Sequence, residues 1–101
     1  MTEPIVQYAA AATLRRRFRE LRILEQLQVG DLRAEVDVDR PAPMSSLQPE
    51  GTGSQRVFYW RGSDLIAIVH QYLLPSGAIG ASGLPDPKWL RDGDIILKFH
   101  L

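Results

Sequence analysis

The sequence predicts an α+β domain: one long N-terminal helix packed on an antiparallel sheet of about four strands. Three observations carry this expectation. Residues 7–28 are an unbroken helix-forming run, the segments after residue 30 switch to strand-type patterns separated by Gly/Pro turns, and 101 residues at 45% hydrophobic and 24% charged are one globular domain's worth. A single domain over 1–101 follows, with a core but little room for a deep internal cavity.

Pro4 suits the first turn of a helix, where a missing N–H leaves no bond unmade, and Thr2 suits its cap. From Gln7 to Gln28 no Gly or Pro interrupts a run rich in Ala, Leu, Arg, Glu and Gln. Leu14, Phe18, Leu21, Leu24 and Leu27 recur every three or four positions as one apolar stripe, and Gly30 supplies the stop. A helix of about six turns is long for this domain, so part of it is expected to pack on a second copy.

Between Asp31 and Arg40 the period falls to two. Leu32, Ala34, Val36 and Val38 alternate with Asp31, Arg33, Glu35, Asp37 and Asp39, which reads as a half-buried edge strand with an acidic face. Residues 41–53 have no periodicity and form a flexible loop. Gln55–Arg61 and Leu65–Leu74 pair as a hairpin over Gly62-Ser63. The simplest register sets Trp60 against Leu65, Tyr59 against Ile66, Phe58 against Ala67 and Val57 against Ile68. Val57, Tyr59, Ile66, Ile68, His70 and Tyr72 then share one face, and Phe58, Trp60, Leu65, Ala67 and Val69 the other. Both faces are apolar, so the helix is expected to cover one and a partner subunit the other.

Residues 78–81 admit a short edge pairing. Asp86-Pro87 reads as the start of a brief turn that leaves Lys88, Trp89 and Leu90 in a loop. Asp92-Gly93 turns the chain into a last strand over 94–101, with Ile95, Leu97, Phe99 and Leu101 on one face.

Twelve basic residues balance twelve acidic ones, which argues against a surface given over wholly to nucleic acid or an anionic membrane. The balance is uneven along the chain: residues 1–30 hold five basic and three acidic side chains, residues 31–50 two and five. The apolar run 65–69 is too short to span a bilayer. The absence of cysteine excludes thiolate metal sites and thiol nucleophiles and suits a reducing compartment, so the cytoplasm is the expected location. The order of charge around the N-terminal apolar stretch is the reverse of a secretory signal.

The candidate ligand-binding residues are His70, Tyr72, Trp60 and Trp89. Trp89, among Pro87, Lys88 and Arg91, is placed to line a groove for a small molecule, with His70 and Tyr72 as its polar groups. The bland reading makes His70 a hydrogen-bonded core residue and the aromatics core packing. Arg15, Arg19 and Arg22 share a helical face that suits phosphates. Against this, Arg16 with Glu20 and Arg22 with Glu25 make ordinary helical ion pairs, and the acidic strand face offers further partners. Glu35, Asp37 and Asp39 lack the partner strand a metal nuclease needs, and neither His70 nor His100 has zinc-site spacing, so no metal and no cofactor is expected. The glycines of 77–83 precede no helix that would complete an anion site. The leading expectation is a non-enzymatic binding or interaction module that self-associates as a homodimer. The alternative is a small nucleic-acid-acting protein, a ribonuclease toxin or its regulator, built on the Arg-rich helix and His70.

Overall fold

A computed structural model describes residues 3–99. Thr2, His100 and Leu101, expected at a helix cap and at the end of the last strand, lie outside the described residues.

The long helix does not form. Ile5, Val6 and Tyr8, β-branched or aromatic, enter a strand, β1 (Ile5–Ala9), and the helical run is divided into α1 (Ala11–Glu20) and α2 (Ile23–Gln28). The break is Arg22, which stands in the left-handed region at φ 55° and ψ 45°. Its amide returns to the Arg19 carbonyl and that of Leu21 to the Arg17 carbonyl, both at 3.0 Å, a closure usually made by glycine. The Gln26 side chain donates to the Leu21 carbonyl at 2.8 Å and satisfies one of the acceptors the break exposes.

The sheet has six strands rather than about four. The strands β2 (Arg33–Pro41), β3 (Gly53–Arg61), β4 (Asp64–Leu73), β5 (Asp86–Asp92) and β6 (Ile95–Phe99) join β1 in one six-stranded sheet of order β1-β6-β5-β4-β3-β2. The expected α+β arrangement is therefore replaced by a mixed sheet with two short helices: β1 runs parallel to β6, and the remaining pairs are antiparallel. β1 and β2, separated in sequence only by the helices, occupy opposite edges. The helices consequently cross one face of the sheet.

On that covered face Leu14, Phe18 and Ile23 pack with Val57, Tyr59, Ala67, Val69 and Leu90, while Leu21, Leu24 and Leu27 lie against the cluster. The apolar stripe thus reaches the core although its helix is split. The Phe18 and Tyr59 rings lie 6.5 Å apart, and burial pushes the Tyr59 hydroxyl up to about 12. Arg17 donates to Asp92 at 2.5 Å and ties α1 to β5.

The β3–β4 register agrees with expectation at Trp60 and Leu65, then shifts. Beyond a bulge, Tyr59 pairs with Ala67, Phe58 with Ile68 and Val57 with Val69. One extra residue exchanges the faces of everything after it. Val57 and Tyr59 therefore share the covered face with Ala67 and Val69, and Phe58 and Trp60 share the other with Ile68, His70 and Tyr72. A second bulge separates Val36, opposite Val57, from Val38, opposite Arg56.

Asp86-Pro87 opens a strand rather than a turn. Pro87, which has no N–H to give, sits where the β4–β5 pairing shifts. The expected edge pairing at 78–81 appears as an isolated bridge between Leu73 and Ile79. Gly80 marks the contact of the two long loops: a Cβ there would lie 2.5 Å from Gln48 Oε1 and 2.9 Å from Leu74 Cδ2. Among the described residues, no helix is long and apolar enough to cross a membrane.

Candidate binding cleft and open sheet face

A cleft of about 510 Å³ opens between the helices, the end of β4 and the segment 80–87. Its size is that of a small-ligand site. Phe18, Leu24, Leu84, Pro85 and Pro87 give it apolar walls; Arg15, Arg19, Gln71 and Asp86 give it polar ones, and β4 lines it with His70 and Tyr72. A wider hollow of about 940 Å³ lies inside the loop 39–53. Met44 and Leu47 there are 96% and 90% exposed, so that hollow has no closed wall.

The cleft unites residues from the two functional expectations. His70 and Tyr72, expected at a groove, border it from β4, and Arg15 and Arg19, expected at phosphates, border it from α1. Arg22 does not join them, because the left-handed turn takes it off the α1 face; it pairs with Glu25 at 3.6 Å. Trp60 and Trp89 lie elsewhere, on the sheet face opposite the helices.

Charge at the cleft is arranged around Asp86, whose carboxylate accepts from Arg15 Nε and Lys88 Nζ, each at 2.9 Å. Burial raises the Asp86 carboxyl, but the hydrogen bonds and charges of Arg15 and Lys88 outweigh it and hold the group below its ordinary value. Arg16 pairs with Glu20 at 3.9 Å, and Arg17 with Asp92. Arg19 alone of the α1 arginines has no ion pair among the described residues.

His70 Nε2 lies 2.8 Å from Ser54 Oγ, and its ring meets Tyr72 edge-on at 4.7 Å. Burial and the Lys88 charge lower the imidazole below its ordinary value, against the opposing pull of Asp86. Ser54 was not foreseen, since pairing with His70 depends on strand register. A serine beside a histidine has the geometry of a nucleophile and its base. The carboxylate that would orient the ring is instead taken by Arg15 and Lys88, so the pair lacks its third member.

Two other sequence candidates disperse. Asp37 is held by Arg56, Glu35 accepts from the Trp60 indole at 3.2 Å, and Asp39 pairs in register with Gln55 on the covered face. No group of three potential metal ligands occurs among the described residues. In the glycine-rich loop, Gly77, Gly80 and Gly83 donate their amides to the carbonyls of Leu74, Tyr72 and Gly80 at 2.8–3.0 Å, so these donors are already used.

The face opposite the helices carries Phe58, Trp60, Ile68, Tyr72 and Trp89, none fully buried. Phe58 and Trp60 meet edge-to-face at 6.0 Å and 82°, and the Arg56 guanidinium lies 5.8 Å from the Phe58 ring centre. No helix among the described residues covers this face.

No protein-family model, curated protein or solved structure matches this chain.

Proposed function

We propose that this domain is a binding module whose cleft takes a small organic anion with an apolar body, such as an aryl or branched-chain carboxylate. The observation that carries this is Arg19, a guanidinium with no ion pair among the described residues, lining a cleft walled by Phe18, Leu24, Leu84 and Pro85. A carboxylate there gains a charge-assisted fork while its hydrocarbon part leaves water. Arg15 is poised beside it but already serves Asp86.

Thermal melting against a panel of aryl and alkyl carboxylates tests the reading. A ligand at about 100 times its Kd stabilises the fold by about 2.7 kcal/mol, and Arg19→Gln is expected to remove that rise while leaving the unliganded melting point in place. A panel without effect, or an Arg19→Gln variant that responds equally, overturns it.

A second reading, self-association as a homodimer, is favoured by the β1 edge. Ile5 and Val6 there are 59% and 52% exposed and β1 carries no charge, whereas β2 guards the opposite edge with charged residues and a bulge. Light scattering is expected to show a dimer that Val6→Lys dissolves; a monomer at micromolar concentration sinks this reading.

A further inference from the structure

Free positive charge is concentrated on the open sheet face rather than on the Arg-rich helix. Arg33, Arg40, Arg91 and Lys98 make no ion pair among the described residues, while four of the five arginines of α1 and its C-terminal turn do. Strand register puts these cations beside the aromatics. Arg33 stands opposite Trp60, Lys98 opposite Trp89, and Arg40 opposite Ser54, which pairs in turn with Tyr72. Arg91 flanks the same face opposite Ile96. Of the two acids on this side of β2, Asp37 is neutralised by Arg56, and Glu35, which accepts from the Trp60 indole, keeps one negative charge against the four free cations. Phe58, Ile68, Trp89 and Lys98 form one transverse row over four adjacent strands, about 14 Å long at the usual strand spacing.

We propose that this face binds single-stranded nucleic acid, with bases stacked on Trp60 and Trp89 and phosphates held by Arg33, Arg40, Arg91 and Lys98. Aromatic rings on an open sheet face interleaved with free cations match the two surfaces of an unpaired strand, base and phosphate. A duplex hides its base faces and offers such a sheet little to stack on. A second copy laid on the same face would set these cations against their own counterparts, which opposes pairing. The site borders the cleft at Tyr72 but uses none of the cleft's arginines.

Fluorescence anisotropy with labelled oligo(dT) and oligo(U) of about 12 nucleotides at low salt tests the proposal, with a duplex of equal length alongside. Binding is expected to favour the single strand. The logarithm of the affinity should fall with the logarithm of salt at a slope near −3, about 0.7 for each phosphate engaged. Trp60→Ala and Trp89→Ala should each weaken binding about tenfold. Arg33→Gln with Lys98→Gln, both at exposed positions, should weaken it and flatten the slope by about 1.4 without disturbing the circular dichroism spectrum. Arg16→Gln with Arg22→Gln, an equal loss of charge away from this face, should leave affinity within twofold. The proposal fails if neither oligonucleotide binds at low salt, if the duplex binds better, or if the Arg16/Arg22 change costs as much as the Arg33/Lys98 change. It fails equally if light scattering shows a dimer that Trp89→Arg dissolves, since a second copy then owns the face.

Discussion

Beneath α1 and α2 the sheet is mainly aliphatic, with Val57, Ala67, Val69 and Leu90 at 3% exposure or less, whereas the opposite side keeps both tryptophans, Phe58 and Tyr72 at its surface among free cations. Both sides are apolar, and apolarity alone does not tell which of them the chain itself will cover. Side-chain shape does. Branched aliphatics interdigitate at the density of a core, while Trp, Tyr and Arg offer large contact areas with polar handles and dominate recognition surfaces. The covered face serves folding; the open one is available for contact with another molecule.

The largest expected effect tests this contrast directly. Leu14→Ala leaves a cavity at a fully buried position and should cost about 2–5 kcal/mol in urea unfolding. Ile68→Ala, on the half-buried open face, should cost less than about 2 kcal/mol. Equal losses would break the comparison, because they would mean that something covers Ile68 in solution.

A smaller effect concerns the device that seats the helices on the covered face. Arg22 holds a left-handed conformation that favours glycine, so Arg22→Gly should raise stability by up to about 1 kcal/mol. A lower melting point would show that the Arg22 side chain contributes more than its backbone costs.

The smallest sharpens the boundary between open face and cleft, where His70 stands. Its folded pKa lies below the unfolded value of 6.5, so the unfolded chain binds more protons over that interval. Stability should be complete above the unfolded value and decline as pH falls from 6.5 toward the folded pKa. His70→Gln should flatten this part of the pH profile; an unchanged slope would assign the acid sensitivity to another group.

Much of the sheet was legible in the sequence because its signals are local. The strand run of β2, the hairpin turn at Gly62 and the apolar stripe from Leu14 to Leu27 each depend on neighbours within a few residues, although β2 is exposed nearly throughout rather than half-buried, because a bulge sets Val36 and Val38 on different faces. The helix break was not, because the residue that makes the left-handed turn is arginine where a sequence would announce glycine. β1 was hidden by its shortness and by the alanines that follow, and β5 by Pro87, which sits at a pairing shift that only the partner strand defines. Bulges leave no composition signal, so the faces after Trp60 were inverted. The candidate cleft was legible in pieces. His70, Tyr72, Arg15 and Arg19 were recognised singly, but bringing them together requires α1 to lie across the end of β4. Gln71 and Asp86 joined the cleft unforeseen; the carboxylate beside Pro87 was the one available sign of the latter.

The parallel pairing of β1 with β6 sets Ile5 beside Ile95. Closing so large a loop is costly in chain entropy and is repaid only once the strands between are ordered. Docking of β1 is therefore expected to follow the ordering of β6, which supplies its pairing partner. Ala10 alone joins β1 to α1, so the edge strand is anchored directly to the helix that brings Arg15 and Arg19 to the cleft.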